Sequence, residues 1–168
     1  MMKSKLAFAL VLMGAFLLSA CSSSFPEQKA EIKEEVANTF KGEPEKTNNS
    51  TKDIDYYLPA GVEVEEEQPN NVLLKDGSKT YILFYNQHEK EDSKVVYEST
   101  VKQQSAWDAN ETFTENGKFG YMLVKKLKED HGYQLIVGIG GVKLTTETEN
   151  VKEDAEAMMK IANSVTVK

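Results

Sequence analysis

Arginine is absent from this 168-residue chain, and cysteine occurs once, at Cys21. A single cysteine excludes a disulfide within the chain. Arginine is the usual bidentate ligand of phosphate and carboxylate groups, so its absence argues against a site of that kind.

Positive charge is also in deficit. Residues 1–20 hold two of the 20 lysines and no acid, so residues 21–168 carry 18 lysines against 27 acids, a net charge of −9. This charge and the missing arginine disfavour nucleic-acid binding. A surface of this sign is also repelled by anionic lipid headgroups, so we do not expect membrane binding through a basic patch.

The first 21 residues have the pattern of a bacterial lipoprotein leader. Lys3 and Lys5 precede an uncharged apolar run, 6–18, which is shorter than the roughly 20 residues that a membrane span needs. The run ends in Leu-Ser-Ala-Cys at 18–21, a lipobox that predicts cleavage before Cys21 and a diacylglycerol group on its sulfur. An ordinary cleavage site followed by a chance cysteine is the alternative. We therefore expect a signal peptide, 1–20, and a protein anchored by lipid to the extracytoplasmic face of the cell membrane.

The next segment, 21–53, is predicted to be a lipidated cysteine followed by a flexible tether. Its composition is polar and holds few large apolar residues, so ordering it gains little burial. Ile32, Val36 and Phe40 nevertheless share one helical face within 27–40. A transient helix in a linker is the expected interpretation, and a helix that docks on the domain or on a partner is the alternative.

Residues 54–168 are predicted to form a single α+β domain with an antiparallel-rich sheet. Asp76-Gly77 and Asn116-Gly117 are hairpin signals. The run 80–85 is apolar on both faces and predicts a central strand covered on both sides. A short helix over 93–104 is expected, although Val95, Tyr97, Ser99 and Val101 also alternate as a strand would.

A C-terminal helix is the clearest predicted element. Asn150 and Glu153 have the spacing of a capping box. An apolar stripe at helical spacing follows, comprising Val151, Ala155, Met158, Met159, Ala162 and Val165. We expect one or two helices, this one among them, to cover a sheet built from hairpins.

Few residues carry a chemical signal, and no catalytic, metal or cofactor site is predicted. His88 and His131 each lie beside acids in a polar turn, and a solvated turn is favoured over a metal or proton-transfer site. The run 138–141, with Gly140 and Gly141, lacks the Lys-Ser/Thr of a phosphate loop and indicates a bend. Trp107 is interpreted as a core or rim residue, with an exposed partner anchor as the alternative. Trp107, Gly140 and Gly141 are thus only weak binding candidates.

The chain resembles small lipoproteins of bacilli and related Firmicutes. The similarity lies in Tyr57-Leu58-Pro59-x-Gly61, in Asn71-x-x-Leu74 and in the run 81–84. The ending, 157–165, is similar to the C-terminal helix of PsbP-like and DcrB-like domains. The resemblance implies a sheet flanked by helices in a domain that binds or assembles other molecules without catalysis.

We therefore expect a non-catalytic domain that binds a protein partner or an envelope component. The alternatives are a small-ligand-binding lipoprotein, using the sheet face or the cleft near the glycine bend, and a hydrolase with an unrecognised site.

Overall fold

The computed structural model of the protein describes residues 24–104, 106–128 and 132–168. In these residues the helices are α1 (Phe25–Lys41), α2 (Val95–Lys102) and α3 (Val151–Ser164). The strands are β1 (Asn49–Ser50), β2 (Ile54–Tyr56), β3 (Val62–Gln68), β4 (Asn71–Asp76), β5 (Lys79–Tyr85), β6 (Ala109–Glu115), β7 (Lys118–Lys126), β8 (Tyr133–Ile139), β9 (Val142–Thr148) and β10 (Thr166–Val167).

Seven strands form one antiparallel sheet in the order β3-β4-β5-β9-β8-β7-β6, and β1, β2 and β10 form a small second sheet. The predicted α+β class is confirmed. Both predicted hairpins are also present: Gly77 and Ser78 connect β4 to β5, and Asn116 and Gly117 connect β6 to β7. Asn116 and Gly117 both have positive φ, as their turn requires.

One face of the sheet, the inner face, is covered by α3 and α1. Helix α3 packs on β8 and β9, and α1 lies against α3 and β6. The apolar stripe predicted on α3 is buried throughout. Asn150 occupies the N-cap position but its side chain makes no cap hydrogen bond, so the predicted capping box is wrong. The backbone N–H of Asn150 instead donates to the Thr148 hydroxyl at 2.8 Å.

Helix α1 overturns the expectation of a flexible tether between residues 25 and 41. Ile32 and Val36 are 1% and 0% exposed, and they belong to the same core as the sheet. The ring centroids of Phe25 and Tyr133 are 5.2 Å apart, and those of Phe40 and Phe113 are 5.8 Å apart. Packing of this apolar stripe stabilises α1. The average composition of 21–53 does not reveal the stripe, because the apolar residues are few and separated by polar ones.

The opposite face of the sheet, the outer face, is only half covered. Helix α2 lies over β7 and β8, where an aromatic cluster forms from Phe119, Tyr121, Leu123 and Ile136 together with Tyr97, Val101 and Trp107. The prediction of a helix near 93–104 is thereby confirmed. The prediction that β5 is covered on both sides is wrong, because Ile82 on its outer face is 44% exposed. Alternate residues of β5 therefore face the core and the open side of the sheet: Leu83 is buried, whereas Ile82 is exposed.

Candidate functional site

The uncovered half of the outer face presents an apolar row across β4 and β5. Ile82 pairs with Leu73 across the two strands, and Phe84 follows on the same side of β5. Leu73 and Phe84 are half-buried. We call the surface formed by Leu73, Ile82, Phe84, Lys143 and Thr145 the open face.

Polar side chains border this apolar row on both sides. On β9, Lys143 stands opposite Phe84 with its Nζ 5.5 Å from the ring centroid. Partial burial lowers the pKa of Lys143, because desolvation disfavours the ammonium ion. On the other side, Glu65 of β3 forms a 3.1 Å ion pair with Lys75. The open face therefore has an apolar centre and charged margins, an arrangement typical of protein-binding patches.

A pocket of about 620 Å³ lies at one end of the sheet, beside the β8–β9 turn. We call it the glycine-turn pocket. Apolar side chains of the sheet and of the C-terminal segment form part of its wall, and acids of the loop 86–92 form another part. Its lining includes Tyr85, Ile139, Val142, Val165, Val167, Glu89, Glu91, Asp92 and Gly141.

Gly140 and Gly141 have a structural role beside this pocket. Gly140 has φ +53°, and a Cβ there would lie 2.3 Å from the Lys90 carbonyl oxygen. A Cβ on Gly141 would lie 2.7 Å from the Asn86 carbonyl oxygen. The bend predicted from these glycines is a tight hairpin turn against which the loop 86–92 packs. Of the two, only Gly141 lines the pocket.

The remaining sequence candidates do not form a common site. Trp107 is half-buried against the aromatic cluster, as a rim residue would be. His88 is exposed in a turn, where its backbone N–H donates to Asn86 Oδ1 at 3.1 Å. Cys21 and His131 lie outside the described residues.

A buried polar network around Asp154 was not predicted from the sequence. Asp154 is 3% exposed. Lys79 Nζ donates to its two oxygens at 2.6 and 2.8 Å, Tyr81 donates at 2.7 Å, and the Thr148 hydroxyl also donates. Burial and the hydrogen bond to Asp154 raise the pKa of Tyr81.

This network joins the first turn of α3 to β5 and β9. Four hydrogen bonds occupy the acceptor sites of the Asp154 carboxylate, so little capacity is left for a substrate. We interpret it as structural. The pairing register that places Lys79 and Tyr81 below α3 is a long-range feature that residue spacing does not indicate.

Within 24–104, 106–128 and 132–168 no group of three or more His, Cys, Asp or Glu residues is arranged to hold a metal ion. In the same ranges no helix is both long and apolar enough to cross a membrane.

Comparison with known protein families finds no family model that matches the chain. Comparison with curated proteins likewise finds no significant match.

Proposed function

We propose that the protein is a lipid-anchored, extracytoplasmic and non-catalytic binding protein whose open face holds a protein partner or an envelope component. The lipobox at 18–21 supports the anchor. The exposed Ile82 between Leu73 and Phe84 supports the binding surface. A relationship to PsbP-like and DcrB-like domains is part of the same proposal.

The observation that carries this proposal is the half-covered outer face. On the other half, α2 and the aromatic cluster shield the sheet from water. On the open face, three large apolar side chains lie together without such a cover. Contiguous apolar side chains on a surface mark interaction sites more often than single exposed ones do.

Crosslinking in intact cells tests the proposal. A photoreactive residue at Thr145 would capture what lies over the open face, and Ile82→Glu should abolish that capture. Since Ile82 is 44% exposed, the variant should fold. Val95→Glu is the matched control, because Val95 is 55% exposed but lies on α2 outside the open face. Capture of the same molecule by wild type and by Ile82→Glu would contradict the proposal.

The glycine-turn pocket supports a second candidate function, the binding of a small ligand. Its volume of about 620 Å³ is in the range of small-molecule sites. Thermal stabilisation of the wild type by one compound of a metabolite panel would favour this function, provided that Val167→Trp removes the effect. Val167 lines the pocket and is 52% exposed, so the larger side chain occupies the pocket without entering the core.

A further inference from the structure

We propose that one end of the sheet is a membrane-facing surface that rests on lipid headgroups. This surface, the lysine end, comprises Lys102, Lys125, Lys126 and Lys128 together with the start of α1. The proposal rests on lipidation of Cys21, which is part of the proposed function. It adds to that function which surface of the domain meets the bilayer.

The first observation behind this proposal is that α1 begins at one end of the sheet. Phe25 is buried and packs on Tyr133, which is the first residue of β8. Lys29 Nζ donates to the carbonyl oxygen of Asp108, just before β6. The beginning of α1 is therefore held at the end of the sheet where β8 and β6 begin and β7 ends.

The second observation is that very little chain lies between the proposed anchor, Cys21, and the start of α1. Ser24 immediately precedes the helix, and its N–H donates to the Glu27 carboxylate at 2.9 Å. Ser24 is the third residue after Cys21, and even a fully extended chain covers only about 10 Å in three steps. The headgroup region of one leaflet is itself roughly 5–8 Å thick. An acylated Cys21 thus brings the start of α1 against the membrane surface.

Lysine side chains surround this point. Lys126 is the last residue of β7, and Lys128 follows it. Lys125 is paired with Gln134 across β7 and β8. The Gln134 side chain accepts a hydrogen bond from Gln104, which lies just beyond the C-terminus of α2. Lys102, in the last turn of α2, is therefore near the same end. Lys102, Lys126 and Lys128 are exposed. In the part of the chain that the structure describes, none of the four lysines forms an ion pair.

Acids are present at the same end, but their setting differs. The carboxylates of Glu27 and Asp108 accept backbone hydrogen bonds from Ser24 and Lys126. Glu147, which is paired with Gln134 of β8, and Glu149, which follows β9, also lie here. Glu129 and Asp130 lie outside the described residues. Among the described residues named here, four lysines lie beside four acids, whereas residues 21–168 have a net charge of −9. Long lysine side chains can extend to headgroup phosphates, so the four lysines give this end groups that can contact an anionic bilayer.

The far end of the sheet is correspondingly distant from the membrane. Helix α1 has 17 residues and a rise of about 1.5 Å for each, so it extends roughly 25 Å. Its last turn packs at the opposite end, where a Cβ on Gly120 would lie 2.7 Å from the Phe40 ring. Glu115, next to the β6–β7 turn, marks this far end.

Fluorescence quenching in vesicles tests the proposal with the full lipidated protein. Acylation blocks Cys21, so a cysteine introduced by Lys128→Cys or Glu115→Cys is the single free thiol for an environment-sensitive dye. Both positions are exposed. In phosphatidylglycerol vesicles containing a headgroup-labelled quencher lipid, we expect the dye at 128 to lose most of its emission and the dye at 115 to lose little.

The outcomes separate this proposal from the anchor on which it rests. Protein that fails to float with vesicles would refute lipidation, and with it the membrane-facing surface. Protein that floats but shows equal quenching at both positions, or stronger quenching at 115, would overturn only the membrane-facing surface. In the Lys128→Cys background, Lys126→Glu should reduce quenching, whereas Lys46→Glu, beyond the C-terminus of α1, should not. Equal effects of the two charge reversals would contradict headgroup contact by the lysine end.

Discussion

Truncating Ile32 tests whether α1 belongs to the folded core. Ile32 is 1% exposed and belongs to the same buried cluster as Met158 and Met159 of α3. Ile32→Ala removes three carbon atoms from a packed site, which costs about 3 kcal/mol in the free energy of unfolding. A flexible tether would predict no change, because the side chain would be solvated in the folded and unfolded states alike.

Urea denaturation of an unlipidated form, beginning at residue 21 and carrying Cys21→Ala, provides the measurement. With a slope of about 2 kcal/mol/M, a loss of this size lowers the urea midpoint by about 1.5 M. Glu34→Ala is the control on the same helix, since Glu34 is exposed and surface substitutions change stability by less than about 0.5 kcal/mol. An Ile32→Ala midpoint equal to that of Glu34→Ala would refute the packing of α1.

Two further predictions concern buried polar groups. Asp154→Ala leaves Lys79, Tyr81 and Thr148 without their shared acceptor, so we expect a loss of about 3–5 kcal/mol in urea denaturation; a loss below about 1 kcal/mol would show that water replaces the carboxylate. The hydroxyl of Tyr56 is buried and has no hydrogen-bond partner among the described residues, and burial raises the pKa of Tyr56 to about 12. Because that pKa exceeds the unfolded value of about 10, ionisation of Tyr56 does not affect the free energy of unfolding below pH 10 and lowers it as the pH rises from 10 towards 12. Tyr56→Phe should therefore be at least as stable as the wild type at pH 7 and should lose less stability between pH 10 and 12 in thermal melts; a steeper alkaline loss would contradict this assignment.

Local patterns predicted the elements whose two faces differ in polarity or whose turns need special residues. Asn116-Gly117 identified a hairpin because positive φ is needed at both positions. Helical spacing likewise identified the apolar stripe of α3, whose Met158 and Met159 are buried in the core of the inner face. These inferences depend only on neighbours in sequence, so tertiary context did not alter them.

The features that sequence reasoning missed depend on what lies over each face. The run 80–85 is apolar on both faces of the strand, and nothing local shows that Leu83 is buried in the core while Ile82 meets solvent. Helix α1 has many charged residues, so its composition resembles that of a linker. Its apolar stripe stabilises the helix only by packing on α3 and β6, and those contacts are not visible in the local sequence. The sequence therefore did not predict the open face, because the strand that forms its centre was expected to be covered on both sides.

The packing of α1 also restricts where a partner of the open face can be. A flexible tether over 21–53 would let the domain range over an r.m.s. distance of about 30 Å from its anchor. With α1 folded, the three steps of chain from Cys21 to Ser24 allow about 10 Å. The length of α1, roughly 25 Å, then sets how far the domain extends above the bilayer. On the proposed anchoring, the open face lies within this layer. A partner captured there should therefore reach to within roughly 25 Å of the bilayer, and a molecule found only in the outer cell wall would require α1 to detach.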